Sequence, residues 1–231
     1  MKLLKITPRL MGAVGFIRHD SVVADVGTDH AYLPIYLCLK GITERAVASD
    51  INEGPINRAA ANICAFGLDG KIITVKTDGI PDTVIRDVCK GSPSDIIIFG
   101  MGGELISDII SRSEHFRRCG TRLILQPMTH PEILRGFLYG NGYEITDEIL
   151  VKDDRIYQII CAEYTGRNTC CSDAQLLVGK INTERGGELF REYVSGRIAV
   201  LSAAAEGKKR SGADAEQELK LIAELRKGLG K

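Results

Sequence analysis

Three observations predict an α/β fold of Rossmann-like type with a mostly parallel sheet. Short apolar runs alternate with helix-length segments across residues 21–164. The first run, Val22 to Val26, breaks at Gly27, and the second, Ala46 to Ser49, closes on a carboxylate, Asp50. In a strand–turn–helix–strand unit, a glycine after the first strand lets the backbone turn sharply against a ligand. An acid ending the second strand accepts hydrogen bonds from ribose hydroxyls.

The elements follow in order. Thr7-Pro8 is an N-cap followed by proline in the first helical position, and it opens a helix through Arg9, Leu10, Val14 and Ile17. Residues 21–27 are the first strand, 31–40 the first crossover helix and 45–51 the second strand. A helix over 54–66, a strand over 72–76, the Asp78-Gly79 turn and a helix over 81–89 come next. Asp95 to Phe99 is an apolar run of the buried parallel type. A helix over 104–113, a strand over 122–126 and a helix over 131–141 continue the rhythm. The last strands, 143–152 and 155–164, are parted only by Asp153-Asp154, so they are expected as an antiparallel hairpin at one sheet edge.

After Gly166 the strand pattern ends. Phe190, Val194, Ile198 and Leu201 form one helical stripe, and Leu219, Ile222, Leu225 and Leu229 a second, beyond Lys208-Lys209-Arg210-Ser211-Gly212. Residues 1–166 are therefore expected as the α/β domain and 167–231 as a helical hairpin resembling an antiparallel coiled coil.

The chain has 231 residues, 44% of them hydrophobic, enough for one α/β domain with an appendage. Seven cysteines, Cys38, Cys64, Cys89, Cys119, Cys161, Cys170 and Cys171, show no zinc-type spacing. They are expected as reduced, structural thiols, with no metal site. No signal segment or membrane-length apolar run is present, which predicts a cytoplasmic protein, expected as a monomer. The 30 basic and 30 acidic residues balance, excluding a uniformly basic nucleic-acid coat. Local clusters remain: Lys2, Lys5, Arg9 and Arg18 precede the first acid, and Lys208-Lys209-Arg210 lies near the end. Either can meet phosphate, although such clusters are also ordinary solvated surface.

The first turn lacks G-x-G-x-x-G, since Asp29 and Ala31 stand where further glycines are expected. Asp25 and Asp29 would oppose the pyrophosphate of a dinucleotide at the helix N-terminus. They suit a cationic ligand. S-adenosylmethionine offers an adenosine to Asp50 and a sulfonium and an ammonium to the acidic turn. Opposite charges about 4 Å apart attract by roughly 4 kcal/mol at an effective dielectric near 20, before desolvation. Four successive strand ends are chemically rich: Asp25 to His30, Asp50-Ile51-Asn52, Thr77-Asp78-Gly79 and Gly100-Met101-Gly102-Gly103.

Five β/α units closed by an edge hairpin describe the seven-stranded sheet of class I methyltransferases. The segments Asp25-Val26-Gly27-Thr28-Asp29-His30-Ala31-Tyr32-Leu33-Pro34, Asp50-Ile51-Asn52-Glu53-Gly54-Pro55, Asp78-Gly79, Gly100-Met101-Gly102-Gly103 and Leu125-Gln126-Pro127 closely resemble the bacterial tRNA (adenine-22-N1)-methyltransferase family. The resemblance spans essentially the whole chain, from Leu3 to Leu10 through the helical tail. It implies S-adenosyl-L-methionine as donor, tRNA as substrate and a coiled-coil-like second domain. With the strand-end reading it implies a donor site of Arg9, Asp25, Gly27, Thr28, Asp29, His30, Leu33, Asp50, Ile51, Asn52, Asp78, Gly79, Gly100, Met101 and Gly102. The catalytic set implied is Asp29, His30, Tyr32, Gly100 and Met101. Two positions depart from the family pattern. Asp50 replaces Glu, which leaves ribose binding intact; Phe99 replaces a small residue before the glycine loop and is expected to narrow the approach to the methyl group.

Other readings stay open on the residues alone. One is a methyltransferase acting on another RNA or a small molecule, which has no need of the helical tail. An NAD-dependent oxidoreductase is disfavoured by Asp29 and the missing glycines. A non-catalytic RNA- or partner-binding protein is disfavoured by acids at three strand ends, which are costly without a ligand.

Overall fold

The computed structural model describes residue 4, residues 6–89 and residues 94–229, so Lys2, Leu3 and Lys5 lie outside the described residues. The chain divides into two compact units, Met1–Thr169 and Cys170–Lys231.

The first unit carries seven strands: β1 (Val22–Val26), β2 (Ala46–Asp50), β3 (Ile72–Lys76), β4 (Ser94–Met101), β5 (Thr121–Pro127), β6 (Tyr143–Lys152) and β7 (Ile156–Tyr164). Their order is β3-β2-β1-β4-β5-β7-β6. The first five pair in parallel, and β7 inserts antiparallel between β5 and β6. Strand order reverses between β1 and β4, which opens a crevice at their carboxyl ends. The helices are α1 (Pro8–Val14), α2 (Tyr32–Leu39), α3 (Glu53–Ala65), α4 (Asp82–Cys89), α5 (Gly103–Ser111) and α6 (Pro131–Gly140).

Side chains alternate between the two faces of a strand. Val23, Ile97, Phe99, Ile124 and Ile159 share one core with residues of α1, α2 and α3. Ala24, Val26, Ile96, Ile98, Leu123 and Leu125 are buried on the opposite face, where α4, α5 and α6 pack. Phe99 is only 8% exposed and lies inside the α1–α3 core. Strand alternation places its ring on the same sheet face as Val23 and Asp25. Cys38 and Cys161 are buried as small hydrophobes, whereas Cys64, Cys119 and Cys170 are exposed. Burial pushes the Cys38 thiol up to about 11. The Cys89 side chain lies outside the description.

Polar ties buried at the two ends of the sheet hold its layers. Asp95 is fully buried at the start of β4 and accepts hydrogen bonds from Arg18 N (2.7 Å), Arg18 Nε (2.8 Å) and Ser21 Oγ (2.7 Å). On the other face, Arg135 of α6 meets Glu148 of β6 at 2.6 Å, both side chains wholly buried, and also donates to Gln158 Oε1 of β7 at 2.7 Å.

Among its described residues the second unit holds four helices: α7 (Asp173–Val178), α8 (Lys180–Arg185), α9 (Glu188–Arg210) and α10 (Glu216–Leu229). The expected hairpin is α9 and α10, which pack together with Phe190, Val194, Ala205, Ile222 and Leu225 buried. Two features differ from expectation. The short helices α7 and α8 precede the hairpin, with Ser172 and Gln175 forming a capping box on α7, and Leu219 of the second stripe is 43% exposed.

Removing one partner of a buried ion pair strands the other charge, which costs about 3–5 kcal/mol. Glu148→Ala is expected to lower the unfolding free energy by that amount in urea titrations. A loss below about 1 kcal/mol contradicts the assignment of Arg135–Glu148 as a tie between α6 and the edge hairpin.

Candidate active site

The β1 turn is built by backbone. Gly27 adopts φ +78°, and its N–H and that of Thr28 both donate to Ser49 O at 2.8 Å, fastening the end of β1 to β2. Thr28 is buried, and its Oγ1 accepts from Ala31 N at 3.1 Å. Ala31 itself takes a left-handed conformation, φ 54°, just before α2, a strained geometry that nothing in its residue type announces. Asp25 shares the Val23 face of β1, the side lined by the α1–α3 core. Desolvation pushes its carboxyl up to about 6, raised further by Asp50 and opposed by the Thr28 hydrogen bond and the Arg9 charge.

Arg9 is aimed by its neighbours. Its Nη1 donates to Gln126 Oε1 at 2.8 Å, its guanidinium lies 5.5 Å from the Tyr157 ring centroid, and its backbone N–H reaches Asp153 Oδ2 at 3.3 Å. Gln126 is wholly buried at the end of β5. Among the apolar neighbours Leu123, Ile124 and Leu125, its polarity is the signal in the sequence that marks it as an anchor.

At the next two strand ends, Asp50 Oδ1 accepts from Asn52 N at 2.7 Å, and Ser49 Oγ donates to Gly79 O at 2.9 Å. Ile51 is 58% exposed beside them. Asp78 accepts from both Arg112 Nη1 (2.6 Å) and Nη2 (3.4 Å), and that hydrogen bonding holds the guanidinium pKa above its usual value. Any contact of Asp78 with an adenine amine must compete with this pair. Asp29 is likewise engaged, by Arg58 Nη2 at 2.5 Å and His30 Nε2 at 3.1 Å. The acidity expected of the first turn therefore resides chiefly in Asp25, since Arg58 offsets Asp29 through an exposed pair worth at most about 1 kcal/mol. His30 and Tyr32 stack with centroids 4.9 Å apart and planes 8° from parallel. Leu33 is buried in the core.

The glycine loop after β4 completes the crevice. Register shifts between Phe99 and Met101, and Gly100 takes φ +82°, with its open face 3.8 Å from Arg9 Nη1. A Cβ on Gly27 would overlap Met101 Cε, so the turns after β1 and β4 touch. Gly102 caps α5, and the loop is zipped to the one after β5: Met128 N donates to Met101 O and Gly103 N to Thr129 O, each at 2.8 Å. Of the residues expected at the site, Arg9, Asp25, Gly27, Asp50, Gly100 and Met101 thus gather around one crevice. Arg58, Arg112, Gln126 and Tyr157 were missed.

A Cβ on Gly103 would overlap the His130 carbonyl oxygen, a backbone atom that cannot step aside. Gly103→Ala is expected to pry the two loops apart, lowering thermal stability and removing methyl transfer. Gly136→Ala, where a Cβ meets nothing within 4 Å, serves as the neutral comparison. Normal activity of Gly103→Ala contradicts the zipped-loop geometry.

The family model of a methyltransferase domain matches residues 6–160. The tRNA (adenine(22)-N(1))-methyltransferase of Bacillus subtilis (strain 168) is 34% identical over 182 residues, covering 78% of this chain and 74% of that protein. The crystal structure of the B. subtilis m1A22 tRNA methyltransferase TrmK superposes with a TM-score of 0.80 at 30% identity, covering 99% of this chain and 97% of that one. Streptococcus pneumoniae Sp1610 in complex with S-adenosyl-L-methionine gives a TM-score of 0.82 at 28% identity, covering 96% and 99%. With its strand order, acid-ended strands and glycine loop, the chain belongs to the methyltransferase domain family and, within it, to the tRNA (adenine(22)-N1)-methyltransferases.

Proposed function

We propose that this chain transfers a methyl group from S-adenosyl-L-methionine to N1 of adenine 22 in tRNA. The observation that carries the reading is the gathering of Asp25, Asp50 and the Gly100–Gly103 loop at the β1/β4 switch point, where open parallel sheets bind ligands.

The residues fit this donor and not a dinucleotide. Ala31 N before α2 is already bonded to Thr28 Oγ1, and carboxylates stand on both sides, so a pyrophosphate finds opposing charge there. An ammonium finds Asp25. Asp50 would accept from ribose hydroxyls, and Arg9, held by Gln126 beside Gly100, would meet a carboxylate. When bound, the donor supplies an electrophilic methyl on a sulfonium.

The chain's own part is positioning. Adenine N1 carries a lone pair and needs no deprotonation, so no strong general base is required. That nitrogen is occupied in a duplex, so the base must arrive unpaired or flipped. His30 and Tyr32, stacked at the entrance of α2, offer an aromatic face, and the Gly100 carbonyl would offer a polar contact to the charge that passes to the base.

Residues 1–166 would then hold the donor, and residues 167–231 would grip tRNA. In the basic cluster Lys208 is committed to Glu218 at 2.6 Å and Arg210 to Glu206 at 3.5 Å, which leaves Lys209 as its first phosphate contact. No described helix is long and apolar enough to cross a membrane. Among the described residues no cluster of three or more His, Cys, Asp or Glu has a metal-binding arrangement.

Incubation with labelled donor and unmodified tRNA, followed by nucleoside analysis, is expected to yield 1-methyladenosine. Asp50→Ala is expected to weaken donor binding by about 1.5–3 kcal/mol, or roughly ten- to 150-fold, in calorimetry. Label in another nucleoside, or none, refutes the reaction; unchanged affinity removes Asp50 from the site.

A further inference from the structure

The loop after β5 carries a histidine that the donor site does not use. His130 sits at the N-cap of α6 in a left-handed conformation, φ 51°, with its side chain 57% exposed. Its own carbonyl packs on Gly103, and Thr129 Oγ1 lies 3.1 Å from where a Gly102 side chain would begin. His130 therefore stands beside the glycine loop on its β5 side, away from the β2 and β3 ends that hold Asp50 and Asp78. Its ring is oriented by a carboxylate: Nδ1 lies 3.1 Å from Glu132 Oε1, while Glu132 Oε2 is buried with no hydrogen-bond partner. A carboxylate can only accept, so Nδ1 carries the proton. In the neutral imidazole the other nitrogen, Nε2, is then the acceptor.

Resting on the reaction proposed above, we infer that His130 selects and orients the target adenine by accepting a hydrogen bond from its exocyclic amine through Nε2, with Glu132 fixing the tautomer. The amine is adjacent to N1, so this one contact turns N1 toward the methyl group. It also discriminates. Guanine presents a carbonyl oxygen at that place, and two acceptors facing each other repel, leaving both unpaired in a closed site. The left-handed backbone fits the role, because it holds the imidazole at the head of α6 without lengthening the loop. That conformation is sparsely populated for a residue with a Cβ, and Asn tolerates it better than most.

The test is a substrate-by-variant comparison with the full-length protein. His130→Asn keeps a residue suited to the left-handed turn and removes the imidazole. On tRNA bearing adenine, its kcat is expected to fall about ten- to a hundredfold, with donor affinity unchanged. On the same tRNA bearing purine, which has no amine, at the target position, variant and wild type are expected to react at equal rates. Glu132→Gln, whose carbonyl still accepts from Nδ1, is expected to retain most activity, whereas Glu132→Ala is expected to lose it. An equal loss on both substrates, or no loss on adenine, overturns the proposal. Wild-type protein that leaves adenine unmethylated refutes the underlying reaction, and this inference falls with it.

Discussion

A carboxyl group placed near the carboxyl end of β1, where water cannot fully solvate it, constrains the rest of this molecule. Asp25 lies on the sheet face lined by the α1–α3 core, and desolvation raises its pKa to about 6 against an ordinary 3.8. Ionising such a group in a folded chain is unfavourable unless a cation is at hand. Arg9 supplies part of that charge from α1, which explains why a short helix ahead of the first strand belongs to the site. Gln126 and Tyr157 then hold Arg9 in place, and they come from β5 and β7. A single half-buried acid thus recruits α1, the far strands and the first turn to one crevice.

The second constraint is backbone proximity. Met101 and Gly103 are bonded to Met128 and Thr129, and the Gly27 turn leaves no room for a side chain beside Met101. The loops after β4 and β5 are spaced by main-chain atoms, which do not change rotamer, and the β1 turn meets them through the Met101 side chain. Methyl transfer to a neutral nitrogen demands alignment more than acid–base power, and a rigid rim of main chain meets that demand.

Much of this was legible in the sequence because it is local. The strands at 72–76 and 143–152 were read with the bounds the structure shows, and Asp153-Asp154 was read as the turn of an edge hairpin, which β6 and β7 form. Gly27 and Asp50 follow from the spacing of turn and acid. The pairs that neutralise the acids were not legible: Asp29 with Arg58, Asp78 with Arg112 and Asp95 with Arg18 join residues 29, 34 and 77 positions apart. No period or motif ties them together, and only the closed sheet does. The packing of Phe99 in the α1–α3 core follows from strand alternation, which its nearness to the glycine loop in sequence does not reveal. The left-handed Ala31 and His130 escaped notice because Ala gives no signal of φ above zero and a lone His only a weak one, and α7 and α8 because six-residue helices carry too few turns to show a period.

The measurement that tests this account most directly is calorimetry of S-adenosyl-L-methionine binding from pH 5 to pH 7, for the wild type and Asp25→Asn. A carboxyl whose folded pKa is raised favours the apo fold when protonated. Its stabilising contribution is complete below pH 3.8 and is lost as pH rises through about 6. A ligand ammonium reverses that preference, because it binds the ionised form. Wild-type affinity is therefore expected to rise through a midpoint near pH 6, with proton release below it, while Asp25→Asn gives weak, flat binding. Affinity that ignores pH in the wild type, or rises identically in the variant, would contradict the central place of Asp25.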